Sequence, residues 1–455
     1  MIRRDFLRAS ALVTATSCLP GRAGGKEMAD QSLPTGKRPV GAGSMRYREG
    51  NTSCPVYRVT PDDGYYIHTF YDICPWSPSQ RYLACTKLPF QDREPTHSDP
   101  AIICVIDLKD QIINEVYSTT GWGFQLGANI QWGRTDHHLY FNDKVDDQVV
   151  AIRLDLESGK SEALAGPMYH IAPDESSIIG FPLDLINATQ GGYGAAIDPR
   201  KQRKLDLGAA GHEGIWRTDL RTNEKKLLVS LADAYEILPE SDREKFKEGT
   251  FYFFHSKYSP KGDRILQVFR CLLPESMGGG DGTATRVNPS LLTFNQDGSD
   301  KKLAIPNEIW GRGGNHPNWH PDNEHILMNL RLEQSDLRLC SFRPDGSDFT
   351  ILSDSIFGSG HPSFHESGRF IITDSYPNER FAAKSGEVPI RLIDLHNQTE
   401  QNICFIFTNG RPKINALRVD PHVVWSRDFK RVCFNGASEG RRQVYIADLS
   451  ELVSA

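Results

Sequence analysis

His255-Ser-Lys-Tyr258-Ser-Pro-Lys-Gly262, His316-Pro-Asn-Trp319-His-Pro-Asp322, His361-Pro-Ser-Phe364-His-Glu-Ser-Gly368 and His422-Val-Val-Trp425-Ser-Arg-Asp428 are four copies of one phrase: a histidine, two residues, an aromatic and a short polar turn. Following the aromatic and the turn without the histidine adds Trp76-Ser-Pro-Ser, Trp132-Gly-Arg-Thr-Asp and Ile171-Ala-Pro-Asp-Glu. Each copy precedes a short apolar run such as Tyr82-Leu-Ala-Cys85 or Ile326-Leu-Met-Asn329, which makes a β-hairpin signal. A second series interleaves with the first: Val105-Ile-Asp-Leu108, Ile152-Arg-Leu-Asp-Leu156, Ile215-Trp-Arg-Thr-Asp-Leu220, Leu292-Thr-Phe-Asn-Gln-Asp-Gly298, Cys340-Ser-Phe-Arg-Pro-Asp-Gly346, Leu392-Ile-Asp-Leu395 and Tyr445-Ile-Ala-Asp-Leu449. An apolar strand ending in Asp and a turn suits the third strand of a propeller blade. Two interleaved series of seven predict an all-β chain, a seven-bladed β-propeller, in which ring closure hides the sheet edges. The segment around Val56-Tyr-Arg-Val59 is expected to complete the last blade, whose own sequence ends near Asp448.

Length alone, at 455 residues, would suggest two or three domains, but a repeat architecture lets many small units share one closed fold. The formal net charge of -6 and the absence of a long basic run argue against nucleic acid as the main partner. The N-terminus, Met1-Ile-Arg3-Arg4-Asp-Phe6-Leu7-Arg8 followed by the short apolar stretch Ala9 to Leu19, reads as a twin-arginine export signal. That apolar run is too short to span a bilayer. The expected organisation is a signal over 1–25, a Gly-, Pro- and Ser-rich surface linker over 26–53 and the propeller over 54–455. The expected location is the periplasm or the medium. Cys104, Cys340, Cys404 and Cys433 sit in apolar strand-like runs, and mostly buried free thiols are expected.

A blade of four short strands needs about 40 to 45 residues, so the longer step between Ile171 and Tyr258 carries insertions. One runs from about Pro182 to Gly211 and holds Gly191-Gly-Tyr193-Gly; the other, Leu231 to Lys247, is amphipathic enough for a short helix. Long insertions in a compact repeat fold are usually functional rims.

The position three before each aromatic reads Ile73, Asn129, Met168, His255, His316, His361 and His422. If that position starts the innermost strand, the histidines face the central channel and four imidazoles converge. Imidazole suits zinc and other first-row divalent metals, and Asp420 can add a carboxylate ligand. The candidate metal set is therefore His255, His316, His361, His422 and Asp420, with zinc or manganese as the ion. A single histidine would more simply hydrogen-bond the next blade; the set of four favours metal. Arg270 and Arg331 close strand-like runs and Arg217 lies within Ile215-Trp-Arg217, where a planar guanidinium could meet a carboxylate in two-point contact. Surface salt bridges are the plain alternative. Tyr193, flanked by glycines, could reach over the channel mouth or merely anchor its loop.

Phe124-Gln-Leu-Gly-Ala128 before Trp132, Gly191-Gly-Tyr193-Gly, Gly214-Ile-Trp-Arg217-Thr-Asp, His255 before Ser259-Pro-Lys-Gly-Asp-Arg264, Gly314-Asn-His316-Pro-Asn-Trp319 and Gly360-His361-Pro-Ser-Phe together resemble the propeller-fold polysaccharide lyases of the oligogalacturonate lyase and ulvan lyase types. The resemblance spans about Val56 to Leu452. It implies β-elimination on a uronate-containing oligo- or polysaccharide, with a histidine-bound divalent metal in the channel. Carried over by motif, Tyr193 would be base or acid, Arg217 and Arg270 would neutralise the uronate, and Asn129, Arg331 and Arg312 would bind substrate. Asn129 and Asn142 stand where ulvan-type members carry catalytic histidines. The partner expected is an acidic saccharide, with no membrane span and a monomeric chain. The competing reading is a non-catalytic Tol-type propeller that binds a protein or glycan; a metal hydrolase using the same histidines is a third.

Overall fold

The computed structural model describes residues 37–39, 44–276, 287–333, 336–410 and 412–454. The signal expected over 1–25 lies outside the described residues.

Seven antiparallel sheets form the blades. Blade 4 has strands Thr250–Tyr258, Arg264–Leu272, Asn288–Asn295 and Lys302–Ile305 in order from the channel outward. The inner strands of blades 2 and 5 to 7 are Gln131–Trp132, Gly314–Trp319, Ser363–Phe364 and Val424–Trp425. They carry the sequence aromatics at their ends. Val56–Arg58 pairs with Gln443–Asp448 (Val56 opposite Ala447), so the N-terminal segment closes the last blade as expected. Within 26–53, Met45–Arg46 adds outside Val56–Arg58, and Lys37–Pro39 adds outside Ile112–Thr119 of blade 1.

The two sequence series have distinct physical work. In the first, an indole N–H reaches the preceding blade's inner strand: Trp132 donates to Pro75 O (2.9 Å), Trp319 to Lys257 O (3.2 Å) and Trp425 to Ser363 O (3.1 Å). Each accepting carbonyl belongs to the residue just before the preceding aromatic, so the indoles rivet blade to blade while their rings fill the core. In the second series, the Asp closing the third strand accepts backbone N–H groups from its own turn, as Asp107, Asp155, Asp219 and Asp394 all do.

The Leu231 to Lys247 insertion differs from the single short helix expected. It forms two, Leu231–Tyr235 and Glu240–Phe246. Ser230 and Asp233 make a capping box at the start of the first. The first ends at Tyr235, and Pro239, which disfavours helical geometry at Leu238, stands at the N-cap of the second and keeps the two apart. No helix among the described residues is long and apolar enough to cross a membrane.

Trp319→Phe keeps most of the buried ring but orphans the Lys257 carbonyl. An unsatisfied buried acceptor costs about 1–3 kcal/mol. The variant should therefore unfold at lower temperature and lower urea concentration, while a surface change such as Lys430→Ala should move neither.

Candidate functional site at the channel mouth

The repeated histidine position is a backbone feature before it is a chemical one. Asn129, His255, His316 and His422 all have left-handed backbone, with φ of 57°, 57°, 55° and 50°. In blade 6 the left-handed residue is Gly360 (φ 49°), one place before His361. The pairing register slips at this point in blades 4 and 5, between Phe254 and Ser256 and between Asn315 and Asn318. Such a bulge re-aims one side chain, and asparagine and histidine tolerate positive φ better than most residues. In blade 2 the bulged side chain serves the scaffold: Asn129 Nδ2 donates to Met168 O (2.9 Å) and Tyr169 O (3.0 Å). Asn142 is also structural, donating to Met168 O. Asn129, expected to bind substrate, is thus buried with its amide donating to the scaffold.

The imidazoles of His255, His316, His361 and His422 do gather in the channel, but around an aromatic ring. Residues 68–75 of blade 1 leave their sheet, and Phe70 lies with ring centroids 5.1, 6.5, 5.8 and 4.4 Å from the four in that order. Phe70 and Tyr71, rather than Ile73, are blade 1's contribution to the ring packing. Toward the turn end, Lys257 Nζ meets Asp72 Oδ2 (2.9 Å), Tyr71 Oη (2.8 Å) and Pro317 O (2.8 Å), which satisfies a buried ammonium.

His255 is set apart from the other three. It stacks on Phe70 at an interplanar angle of 16°, and its Nδ1 shares a short hydrogen bond with the Tyr169 hydroxyl. His316 and His361 lie 3.9 Å apart by ring centroid, and His361 and His422 lie 4.5 Å apart. Within this cluster His361, Asp420 and His422 bring one ligand atom each to within 4.8 Å of one another, and all three are buried. Asp374 Oδ1 holds His361 Nδ1 at 2.8 Å, which leaves Nε2 facing the site. Gly360 O likewise takes the Nδ1–H of His316 at 2.7 Å. Neither ring nitrogen of buried His422 has a hydrogen-bond partner among the described residues. An orphaned buried imidazole beside a second imidazole and a carboxylate fits a divalent metal. Burial holds His255, His316 and His422 well below the usual imidazole range, so each is a neutral donor.

Over this cluster sits Tyr193. The 182–211 insertion does fold across the channel: the Tyr193 ring lies 6.1 Å from Phe70 and 6.2 Å from His255, and is 6% exposed. Arg418 Nη2 donates to the Tyr193 hydroxyl (2.9 Å) and Nε donates to Asp420 Oδ2 (2.8 Å). Burial pushes the Tyr193 phenol up; Arg418 pulls it back, Asp420 pushes it further and Arg270 opposes. Gln125 sits behind both parts. Its backbone N–H donates to Gly192 O (2.9 Å), and its side-chain amide donates to Ala416 O (3.0 Å) and Arg418 O (2.9 Å). Arg442 Nη2 adds bonds to Leu417 O and Arg418 O.

The arginines divide. Arg270 reaches the mouth, donating to Gln190 Oε1 (2.9 Å) with its guanidinium 4.3 Å from the Phe254 ring. Arg331 packs against Gly313, and Arg312 is exposed beside Glu308 (3.8 Å), so both stand on the blade 5 rim near His316. Arg217 does not join them. It lies at the turn end, where Nε donates to Ser177 Oγ (3.2 Å), and Ser177 in turn meets Tyr258 Oη. The guanidinium beside Tyr193 is that of Arg418, which the sequence showed only as part of Arg418-Val-Asp420-Pro-His422.

His422→Asn should keep the fold, since asparagine already occupies the equivalent left-handed position in blade 2. His422→Val forces a β-branched residue to positive φ and should cost roughly 1–3 kcal/mol more than the asparagine variant by denaturant unfolding.

No protein-family model and no curated protein matches the sequence. Among solved structures, an oligogalacturonate lyase in complex with manganese superposes with a TM-score of 0.62 at 16% identity, covering 92% of this chain and 99% of that one. The oligogalacturonate lyase of Vibrio parahaemolyticus gives 0.62 at 13% identity, covering 91% and 98%. TolB from Acinetobacter baumannii gives 0.35 at 12% identity, covering 76% and 66%. The chain thus has the seven-bladed propeller fold of the oligogalacturonate lyase structures.

Proposed function

We propose that the channel mouth catalyses β-elimination on a uronate-containing oligo- or polysaccharide. The observation that carries the reading is the Arg418 guanidinium placed against both the Tyr193 hydroxyl and Asp420, directly beside the histidine cluster. The likeness of fold to oligogalacturonate lyases supports it. In this reading Arg418 and Arg270 meet the uronate carboxylate, which a guanidinium can grip by two points. A divalent metal held by His361, His422 and Asp420 would supply Lewis-acid charge beside that carboxylate. The manganese of the similar lyase makes manganese the first ion to try and zinc the second.

His316 is the one imidazole of the channel set with part of its surface exposed, and its Nδ1–H is committed to Gly360 O. Its Nε2 lone pair therefore takes the proton α to the carboxylate. The electron pair forms the new C=C bond as the glycosidic C–O bond breaks, and the Tyr193 hydroxyl protonates the departing oxygen. Environments that push one group toward neutral base and another toward protonated acid are the usual signature of such a pair. This assigns Tyr193 the acid half of its earlier two roles and moves the second guanidinium from Arg217 to Arg418. Arg331 and Arg312 would meet carboxylates of neighbouring sugars.

Incubation with oligogalacturonates, ulvan and glycosaminoglycan fragments in the presence of manganese should raise the absorbance of an unsaturated uronate for at least one substrate. Chelation should abolish it, and Arg418→Met should lower kcat/KM by about 100-fold or more, whereas Arg217→Met should leave it within about threefold. Cleavage without the double bond would instead identify a hydrolase. Binding without cleavage would identify a glycan-binding propeller. We also propose export to the periplasm or the medium; Arg3→Lys with Arg4→Lys should retain the chain in the cytoplasm on fractionation.

A further inference from the structure

We infer that the Tyr376 hydroxyl is a fourth protein ligand, an oxygen donor, at the His361, Asp420 and His422 centre. The inference rests on the metal reading of that centre. Tyr376 belongs to neither sequence series; it lies in the connection that follows Phe370–Thr373 of blade 6. Three contacts aim it at the site. Its hydroxyl is 3.5 Å from His361 Nε2, the nitrogen left free once Asp374 has taken Nδ1. Its ring lies 5.7 Å from the His361 ring and 6.4 Å from that of His316. Its backbone N–H donates to Glu379 Oε2 (3.2 Å), and the same carboxylate oxygen accepts from Ser359 Oγ, which ties the connection to the segment that delivers His361.

The spacing suits ligation. Donors about 2.1 Å from a common ion and separated by right or tetrahedral angles stand about 3.0–3.5 Å apart. The Tyr376 to His361 separation of 3.5 Å falls at the edge of that range, and His422 Nε2 to Asp420 Oδ2, at 3.8 Å, needs only a small closure. The unpartnered nitrogens of His422 are the independent sign that this pocket is built for something beyond its own side chains. Two imidazoles, a carboxylate and a phenolic oxygen form a mixed nitrogen and oxygen set suited to manganese and iron. On binding a ferric ion, the phenol O–H breaks, the oxygen bonds the ion and the proton leaves to solvent.

Tyr376→Phe deletes one oxygen and leaves the ring, so folding should survive, which thermal unfolding checks. Calorimetric titration of the apo protein with Mn2+ should give a Kd at least tenfold weaker for Tyr376→Phe than for the wild type. Titration with Fe3+ should give the wild type a visible phenolate-to-iron absorption band that the variant lacks. Equal Mn2+ affinity within twofold and an unchanged band, in a wild type that does bind, would overturn the ligand role while leaving the metal centre intact. A wild type that binds neither ion would overturn the centre itself and this inference with it.

Discussion

The left-handed bulge on the inner strand is the constraint on which the site depends. A β-strand sends alternate side chains to opposite faces of its sheet, so an unbroken inner strand would present its residues to the neighbouring blades. One residue at positive φ breaks that alternation. It lets His255, His316 and His422 leave the blade interface and enter the channel. Each non-glycine residue held there costs of order 1 kcal/mol or more. Blade 2 puts asparagine in the same left-handed position, and blade 6 puts the positive φ on Gly360, one residue before His361.

Holding that arrangement requires a second layer whose members bond almost entirely to backbone. Gln125, Arg442 and Asn409 together grip the carbonyls of residues 416–418, the segment that delivers Arg418, Asp420 and His422. Gln125 also holds the loop of Tyr193. One blade 2 residue thus aligns groups from blade 3 and blade 7, across a closed ring in which no single blade contains the whole site. Phe70 performs the apolar counterpart. It packs among the four imidazoles, beside the His422 ring whose two nitrogens have no hydrogen-bond partner among the described residues.

Much of this was legible in the sequence because it repeats. The aromatic and turn series marks every blade, and the Asp series marks every third strand, so the seven-bladed count and the closing role of residues 56–58 follow from periodicity alone. The histidines were visible for the same reason. What repetition could not reveal was the meaning of their position: asparagine and histidine share it because both accept positive φ, a cue that was present in Asn129. Residues outside the repeat stayed hidden. Phe70 and Tyr376 come from segments without counterparts in other blades, and nothing local ties Tyr376 to His361. Arg217 was read within Ile215-Trp-Arg217 and does lie inside Gly214–Asp219, but which end of the blade its guanidinium reaches, the turn end beside Ser177, is set by the neighbouring strand and not by its own neighbours in sequence. Arg418, only four residues before His422, could have been weighed from spacing, but the loop that brings Tyr193 to it is folded by contacts 225 residues apart.

The central claim is that the channel of blades 6 and 7 is a metal centre. Anomalous diffraction from crystals soaked in manganese, recorded on both sides of the manganese absorption edge, tests it most directly. The account requires one strong peak within bonding distance of His361, His422 and Asp420. A peak elsewhere, or none at this position in crystals that otherwise retain the fold, would contradict it.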